Sequence, residues 1–491
     1  MFNSDSFRSI AELFGMKVSD FYLLTKNPDI FYCTYKIPKR SGGYRKLSAP
    51  SLRLMAIQRS ILNYILKPNF APLDCCVGFV SDKSILDNVR PHLKRDFIFK
   101  TDIKDFFPSI SLKKVQQLFL ELGYSCEVSR ILAKLCCKNY CLPQGAPTSP
   151  MISNMILHKI DEISDRMIEG IKKIVRIDSV QSTAKTDMPF GEGVNNALEE
   201  TLKLAQELGF EIENVDHKMG IAKYGEGDDS DYIGIIGHLD VVPVGDGWLY
   251  PPFSAHEENG RIYARGILDN KGPILSCLYA LYAIKELKIH LKRPVWILFG
   301  TNEETGFEDL THYLSVKKPP VMGWTPDCKY PVVYAERGRC CYRVSSSYEH
   351  QKEFNAFVNE YLLSSNEHAD RLGLDIHDEE FGQMQLRGRC LADCEDALAF
   401  EFVLSYPAVI TNAEIEEQIR SKLPSHLQLT CIQNYDPVRF EKDCFLCRTL
   451  QDTYEKITGM DGTPVTTTGG TDAKLMPNIV PFGPSFPGRK G

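Results

Sequence analysis

Four short segments between residues 237 and 327 carry one histidine and five carboxylates in a fixed order, at the ends of apolar runs. They are GHLDVVPVGDGW (237–248), ARGILDNKGP (264–273), GTNEETGF (300–307) and GWTPD (323–327). Strands that alternate with helices and end in acids are typical of an α/β fold, in which ligands gather at the carboxyl edge of the sheet. One imidazole and five carboxylates can hold two divalent cations and a water molecule, the arrangement of metal-assisted hydrolysis.

The first two segments supply candidate ligands. His238 and Asp240 lie two residues apart at a strand end, so their side chains point the same way. The histidine can then bind metal while the aspartate accepts its other ring N–H. Asp269 stands between a strand and a helix start, where a carboxylate can bridge two cations.

The last two segments add three acids. Glu303 and Glu304 are adjacent and therefore point in different directions, so one can bind metal while the other serves as general base. Asp327 follows Pro326, which fixes the backbone of a ligand loop. The four segments together predict a metal centre at one edge of a sheet.

The charge is distributed unevenly along the 491 residues, which suffice for two to four domains. Residues 1–165 carry 23 Lys and Arg against 15 Asp and Glu, a net charge of +8, whereas the remainder carries 34 against 49, a net of −15. The basic part fits an RNA or DNA partner, and the acidic part does not.

The location that we expect is cytoplasmic. No apolar run reaches the length of about 20 residues that spans a bilayer, and the first residues do not resemble a secretory signal. The 16 cysteines are scattered, which favours reduced thiols. The spacings Cys390/Cys394 and Cys444/Cys447 lack the flanking turn residues of a structural zinc site.

The four segments, with PFGEGV (189–194), ERGR (336–339) and TTTGGTDAKLMPNIVPFGPSFPG (466–488), resemble a known family. They are similar to the dinuclear zinc dipeptidases of the aminoacylase/carnosinase superfamily, in the branch that contains bacterial Xaa-His dipeptidases. The resemblance covers residues 165–491. It implies an α/β fold with a mixed sheet of the zinc-exopeptidase type, flanked by helices and carrying a reduced α+β lid.

The resemblance also implies a role for each candidate residue, with one or two zinc ions as cofactor. The implied ligands are His238, Asp269 and Asp327 for the first zinc, and Asp269 and Glu304 for the second. Glu303 is then the general base, and Asp240 orients the histidine.

The loop Gly469, Gly470 and Thr471 is implied to line the substrate site. Lys474 stands where the family pattern has an arginine for the substrate carboxylate. A lysine keeps the charge but loses the bidentate geometry of a guanidinium.

Two parts of the family pattern are missing from the sequence. The family supplies a last histidine ligand after the Phe-Pro-Gly loop, but no histidine follows His426. Its lid also carries a histidine that stabilises the oxyanion, whereas here Val344 continues directly into SSSYEHQKEFNAF. We therefore expect a weak second zinc site and impaired hydrolysis, since loss of an oxyanion donor slows catalysis by about 10²–10³-fold.

A different pattern occupies the first 165 residues. FKTDIKDFFPSI (99–110) places Asp102 at the end of a short apolar strand, a position that suits a Mg²⁺ ligand beside a nucleotide pocket. LPQGAPTSPMISN (142–154) offers a glycine-containing loop that can approach a sugar-phosphate closely. With YRKLSAP (44–50) and GFVSDKSILDN (78–88), these segments resemble reverse transcriptases of the retron and group II intron type.

This second resemblance covers about residues 5–165 and implies an α+β part of the fingers and palm. Asp102 is then the first catalytic aspartate, with Mg²⁺ as its cofactor. Gln144 and Gly145 would contact the template–primer or the incoming nucleotide, and Arg45 and Lys46 the nucleic acid or the triphosphate. The paired aspartates of a polymerase hairpin do not follow, so we expect no nucleotidyl transfer.

The sequence thus predicts a composite chain. Residues 1–165 form a partial reverse-transcriptase domain, 166–344 with 425–491 a zinc dipeptidase domain, and 345–424 a lid. The predicted function is metal-dependent hydrolysis of dipeptides, with small peptides as partners, RNA or DNA as partners of the basic part, and no membrane. Two alternatives remain open: a nucleic-acid-binding protein derived from an RNA-directed DNA polymerase, and an inactive chimeric fusion product.

Overall fold

The computed structural model describes residues 6–38, 43–73, 75–93, 105–394 and 397–488. The chain forms two compact units, Met1–Arg166 and Met167–Gly491, here called the amino-terminal and the carboxy-terminal unit. The short apolar strand that is predicted to end at Asp102 lies outside the described residues.

The amino-terminal unit is mainly helical. Its α-helices are α1 (Phe7–Leu13), α2 (Val18–Lys26), α3 (Leu52–Ser60), α4 (Ile85–Val89), α5 (Phe106–Ser109), α6 (Leu112–Glu121) and α7 (Cys126–Cys136). Shorter helical turns cover Pro28–Phe31, Ile61–Leu66, Lys67–Asn69 and Arg90–His92. The helix α8 (Ser149–Val175) crosses the boundary between the units.

The described residues of this unit also form two strands, β1 (Tyr32–Pro38) and β2 (Tyr44–Pro50). They form an antiparallel hairpin in which Pro38 pairs with Tyr44. The helices bury apolar side chains at helical spacing, as Val128 and Leu132 of α7 do.

The carboxy-terminal unit alternates helices and strands. Its helices are α9 (Glu192–Glu207), α10 (Lys271–Glu286), α11 (Glu308–Val316), α12 (Gln351–Phe357), α13 (Asn412–Arg420) and α14 (Phe445–Thr458), with short turns at Tyr348–His350, Val358–Leu363, Asp370–Leu372 and Asp472–Lys474. Its strands are β3 (Glu211–Val215), β4 (Met219–Tyr224), β5 (Ile233–His238), β6 (His256–Glu258), β7 (Arg261–Tyr263), β8 (Val295–Gly300), β9 (Met322–Thr325), β10 (Cys328–Lys329), β11 (Val333–Glu336), β12 (Gly338–Ser346), β13 (His377–Asp378), β14 (Gly382–Gln383), β15 (Gln385–Ala392), β16 (Leu398–Tyr406), β17 (Gln428–Tyr435), β18 (Val438–Arg439), β19 (Val465–Thr467), β20 (Ile479–Pro481) and β21 (Pro484–Ser485).

A mixed six-stranded sheet organises this unit, in the order β20-β9-β5-β8-β4-β3. Strands β20, β9, β5 and β8 are parallel neighbours, whereas β4 and β3 pair antiparallel. Ile221, Ile236 and Leu298 are fully buried in the core of the sheet. Because the parallel strands share one direction, the carboxyl ends of β9, β5 and β8 meet at the same edge.

A second, antiparallel sheet has the order β15-β16-β12-β17 and buries Tyr342, Phe402 and Leu404 in its own core. The sequence predicts a lid over 345–424, whereas this sheet begins at Gly338 and ends at Tyr435. The difference arises because β12 pairs with a neighbour on both sides and so belongs to the sheet along its whole length. We call it the lid sheet.

Smaller sheets join β11 to β18 and β19, β10 to β21, β13 to β14, and β6 to β7. All sixteen cysteines are described and free. The Cys444 sulfur caps α14 by accepting the Cys447 N–H at 3.5 Å. None of the helices in the described ranges combines the length and the apolar character that crossing a bilayer requires.

Candidate metal centre

The side chains that could bind a metal ion gather at the carboxyl edge of the six-stranded sheet, where parallel neighbours end. His238 is the last residue of β5, Glu303 and Glu304 follow β8, and Asp327 follows β9. Asp269 lies in the loop that enters α10. The convergence therefore follows from the parallel order of β9, β5 and β8.

The His238 imidazole is the centre of the cluster and is fully buried. Its Nε2 lies 3.1 Å from Oδ1 of Asp269, 3.6 Å from Oδ2 of Asp327 and 3.9 Å from Oε2 of Glu303. Ligand atoms about 2.0 Å from a tetrahedral zinc are separated by about 3.3 Å, so the first two distances match ligands of one ion. Two overlapping groups can hold a cation: His238, Asp269 and Glu304, and His238, Glu303 and Asp327.

Asp240 connects the histidine to the glutamate pair. Its backbone carbonyl lies 2.9 Å from His238 Nδ1, whereas its carboxylate lies 3.5 Å from the same atom. The carboxylate instead accepts the backbone N–H of Glu303 at 3.2 Å and of Glu304 at 3.0 Å. The sequence assigns Asp240 only to the histidine, but its carboxylate also fixes the loop that carries both glutamates.

Asn270 positions the ligand loop of β9. Its amide nitrogen donates to the Pro326 carbonyl at 2.6 Å and to Oδ1 of Asp327 at 3.2 Å. The amide oxygen packs against Gly237, where any Cβ would overlap it. A glycine before His238 is therefore required for this close approach.

The electrostatics reflect a concentration of negative charge. Burial raises the pKa of Glu303 well above its usual range, and that of Glu304 to about 7. Burial alone would lower the pKa of His238, but Asp327 and hydrogen bonds to Asp240 and Asp269 raise it well above its ordinary value. A bound dication would relieve this excess of carboxylates.

Two buried aspartates were not singled out from the sequence. Asp309, in the first turn of α11, accepts the backbone N–H groups of Thr301, Asn302 and Leu310 at 2.6, 3.1 and 2.8 Å. Burial raises its pKa to about 6, with a contribution from Asp240. It holds the start of the loop that carries the glutamate pair.

Asp472 is the second such residue. Its side chain is buried, and neither carboxylate oxygen has a hydrogen-bond partner within the described residues. Burial raises its pKa well above the usual range, with His238 lowering it and Asp327 raising it further. Its place after the Gly-Gly-Thr segment is the only sequence signal that could have indicated it.

The predicted substrate loop holds Gly469, Gly470 and Thr471 next to the lid sheet. The Thr471 hydroxyl donates to Oε1 of Glu336 at 2.8 Å. Lys474 is buried, and its ammonium contacts Oε2 of Glu336 at 3.7 Å and donates to the carbonyl oxygens of Arg337 and Asp436. A substrate carboxylate would have to compete with these oxygens, so the role predicted for Lys474 stays a prediction.

In the amino-terminal unit, a cavity of about 660 Å³ is lined by Arg45, Lys46 and Gln144, three of the predicted nucleic-acid contacts. The fourth, Gly145, has φ +116°, and its backbone approaches Ser48 so closely that a Cβ would lie 3.0 Å from the Ser48 carbonyl oxygen. Asp102, the predicted Mg²⁺ ligand, lies outside the described residues.

Comparison with known families confirms both resemblances. The family model described as peptidase family M20/M25/M40 matches residues 234–489, over half of the chain. The model of the reverse transcriptase (RNA-dependent DNA polymerase) family matches residues 37–227, which extends past the predicted boundary at 165.

Curated proteins with provisional dipeptidase names are similar to part of the chain. YtjP from Bacillus subtilis (strain 168) is 43% identical over 174 residues, which are 35% of this chain and 37% of that protein. A protein from Staphylococcus epidermidis (strain ATCC 12228 / FDA PCI 1200) is 36% identical over 182 residues, 37% of this chain and 38% of its own. The chain thus spans under two-fifths of the length of these relatives.

Solved structures are similar in fold. Human carnosine dipeptidase 1 superposes with a TM-score of 0.52 at 16% identity, over 66% of this chain and 90% of the human chain. The di-peptidase Dug1p from Saccharomyces cerevisiae gives 0.50 at 13% identity, with 66% and 90% covered. These likenesses confirm the predicted mixed α/β fold.

Proposed function

The chain belongs to peptidase family M20/M25/M40, and on that premise we propose that its carboxy-terminal unit hydrolyses dipeptides at a zinc centre built around His238. The spacing of the ligand atoms supports this most directly, because Nε2 lies 3.1 Å from Asp269 and 3.6 Å from Asp327. Dipeptides are the proposed substrates because the curated relatives carry dipeptidase names.

The donor set fits zinc. An imidazole and carboxylates are ligands that zinc accepts. Burial raises the pKa of Glu304 and Asp327, and a dication would offset their charge, whereas the hydrogen bond to His238 already lowers the pKa of the exposed Asp269. His238, Asp269 and Asp327 would hold the first ion, and Asp269 and Glu304 the second. The second position would be weaker, because carboxylates without their own imidazole make a poor zinc site.

Bound zinc would polarise the scissile carbonyl and make water a stronger acid. Glu303 would then accept the proton of the attacking water and pass it to the leaving amine. Burial raises the pKa of this carboxyl well above its usual range, which favours its accepting that proton. Asp240 keeps the glutamate in place through the hydrogen bond to its backbone N–H.

We expect turnover to be slow. Among the described residues, the two groups that could hold a cation contain the same single histidine, His238. Two histidines beside the lid sheet, His350 and His426, stack on each other, with ring centroids 4.3 Å apart. A centre without a separate histidine for the oxyanion would be slower by about 10²–10³-fold.

The test is hydrolysis of a dipeptide panel by the zinc-loaded full chain. Glu303→Ala should abolish turnover, whereas Glu308→Ala, which removes a carboxylate at the start of α11 nearby, should leave it unchanged. Activity that survives Glu303→Ala, or its absence from the zinc-loaded chain at every enzyme concentration, contradicts the proposal.

A second proposal concerns the amino-terminal unit, which we propose binds RNA or DNA in the cavity beside its hairpin. Arg45 and Lys46 are exposed at its edge and Gln144 lines it. Cations that neutralise phosphates supply most of the sequence-independent affinity for nucleic acids. We expect no primer extension from this unit, because only Asp102 is available of the three acids of a polymerase.

A further inference from the structure

The lid sheet presents two arginines on its outer face, beside the substrate loop. Arg339 of β12 pairs with Ser405 of β16, and Arg387 of β15 pairs with Val403 of the same strand. Residues paired across strands share a face, and residues two apart on a strand also share it. Both guanidinium groups therefore lie on one face, where they line a cavity of about 260 Å³ with Gly469 and Gly470.

Three arginines line the cavity, and no acid lines it among the residues that the structure describes. The Arg339 side chain is exposed, and its guanidinium has no hydrogen bond or ion pair within the described residues. Arg387 donates to the side chains of Gln385 and Thr468, which are neutral. Arg337 also lines the cavity, but its guanidinium donates to backbone carbonyls. None of these three arginines forms an ion pair in the parts of the chain that the structure describes.

The same face leads to the metal centre. Tyr435 of β17 pairs with Arg339, and its hydroxyl donates to the Gly306 carbonyl at 3.1 Å. Its ring also contacts Phe307 edge-on, with centroids 5.3 Å apart. Gly306 and Phe307 belong to the loop that carries Glu303. Burial raises the pKa of Tyr435, while Arg339 lowers it and Glu303 raises it.

Lys474 is another cation beside the substrate loop, but its ammonium already contacts other groups of the protein. Its side chain is 1% exposed, and its ammonium lies against Glu336 and two backbone carbonyl oxygens. The Arg339 guanidinium, in contrast, is exposed and forms no ion pair within the described residues.

We propose that Arg339 and Arg387 form the subsite that binds a carboxylate of the peptide substrate. The proposal rests on the proposed peptidase function and makes it more specific, since it selects short peptides with a free carboxylate near the scissile bond. A guanidinium presents two parallel N–H donors that match a carboxylate. The small residues Gly469 and Gly470 leave room for it beside the arginines.

The test measures binding, so it does not depend on turnover. The probes are reduced-amide analogues of alanyl-alanine, in which a methylene-amine replaces the peptide bond, with either a free carboxylate or a carboxamide. Calorimetry on the zinc-loaded full chain should give at least about tenfold tighter binding of the carboxylate form. Arg339→Gln and Arg387→Gln should each remove most of this preference and leave carboxamide binding unchanged.

The matched control is Arg343→Gln, on the same strand as Arg339 but paired with Glu401 outside the cavity. It should keep the preference, and thermal melting should show that all variants are folded.

A third analogue, whose only carboxylate is the side chain of a terminal aspartate amide, distinguishes a main-chain from a side-chain carboxylate. The proposal is overturned if the wild-type chain does not prefer the carboxylate form, or if Arg343→Gln loses the preference equally. Loss of hydrolysis with the preference intact would count against the proposed function alone.

Discussion

The two units hold their candidate functional residues in opposite ways. In the carboxy-terminal unit, His238 is fully buried and Asp240 is 1% exposed, and hydrogen bonds from the strand ends fix both. In the amino-terminal unit, Arg45 and Lys46 are exposed on a hairpin beside an open cavity. A buried polar site depends on each partner because an unpaired group there is costly, whereas an exposed cationic site depends mainly on summed charge.

The largest effect should come from removing the central ligand. His238→Ala should weaken zinc binding by at least about 100-fold, more than the loss of an outer hydrogen-bond partner usually causes. Competition with a chromogenic chelator measures this. His312→Ala, which breaks a 2.7 Å contact with Asp216 outside the centre, is the control. An unchanged zinc affinity in His238→Ala would contradict the statement that the buried site depends on each of its residues.

Loss of Asp309 should act on stability. Asp309→Ala leaves three buried backbone N–H groups without their acceptor, so the free energy of unfolding should fall by about 2 kcal/mol or more. Urea denaturation measures it. Asp231→Ala, which breaks an exposed ion pair with Arg293, should cost less than about 1 kcal/mol. Equal losses in the two variants would mean that burial does not set the difference.

The pH dependence sharpens the comparison further. Burial raises the pKa of Glu304 to about 7, so below that pH zinc must displace a proton from it at the second position, and zinc affinity at that position should rise by up to about tenfold per pH unit towards pH 7. In the metal-free chain the sign is opposite. The folded state binds this proton more tightly than the unfolded chain, so stability falls as the pH rises from the usual 4.5 to about 7. A zinc affinity that is flat between pH 5 and 7 contradicts the first statement.

The smallest effect belongs to the exposed cavity. Lys46→Gln should weaken binding of single-stranded RNA by a few-fold and lower the slope of log K against log salt by about 1. Fluorescence anisotropy at several salt concentrations measures both. Lys113→Gln on α6 removes the same charge outside the cavity. If it reduces binding as much, the affinity comes from net charge and not from this cavity.

Much of the fold follows from local sequence. The apolar runs that give β5 and β8, and the amphipathic run of α9, are bounded by polar turns, so period and length suffice to predict them. The convergence of the candidate ligands was also predictable, since His238 ends β5 and Asp327 follows β9 within one parallel set. Their convergence needs only that order of strands.

The supporting residues were not predictable in the same way. Asp309 is a short acid in a helix start, and nothing local shows that the N–H groups of Thr301 and Asn302 in the preceding loop turn towards it. Lys474 contacts Glu336, which is distant in sequence, so its burial depends on how β11 meets the loop after β19. Such pairs arise from tertiary packing, which neither periodicity nor a motif encodes.

The most direct test of the metal centre is an anomalous difference map, recorded at the zinc edge from crystals of the zinc-loaded full chain. We predict one strong peak about 2.0 Å from His238 Nε2 and from the carboxylates of Asp269 and Asp327, with a weaker peak or none beside Glu304. Absence of a peak at His238, or a strong peak only elsewhere in the chain, would contradict the account.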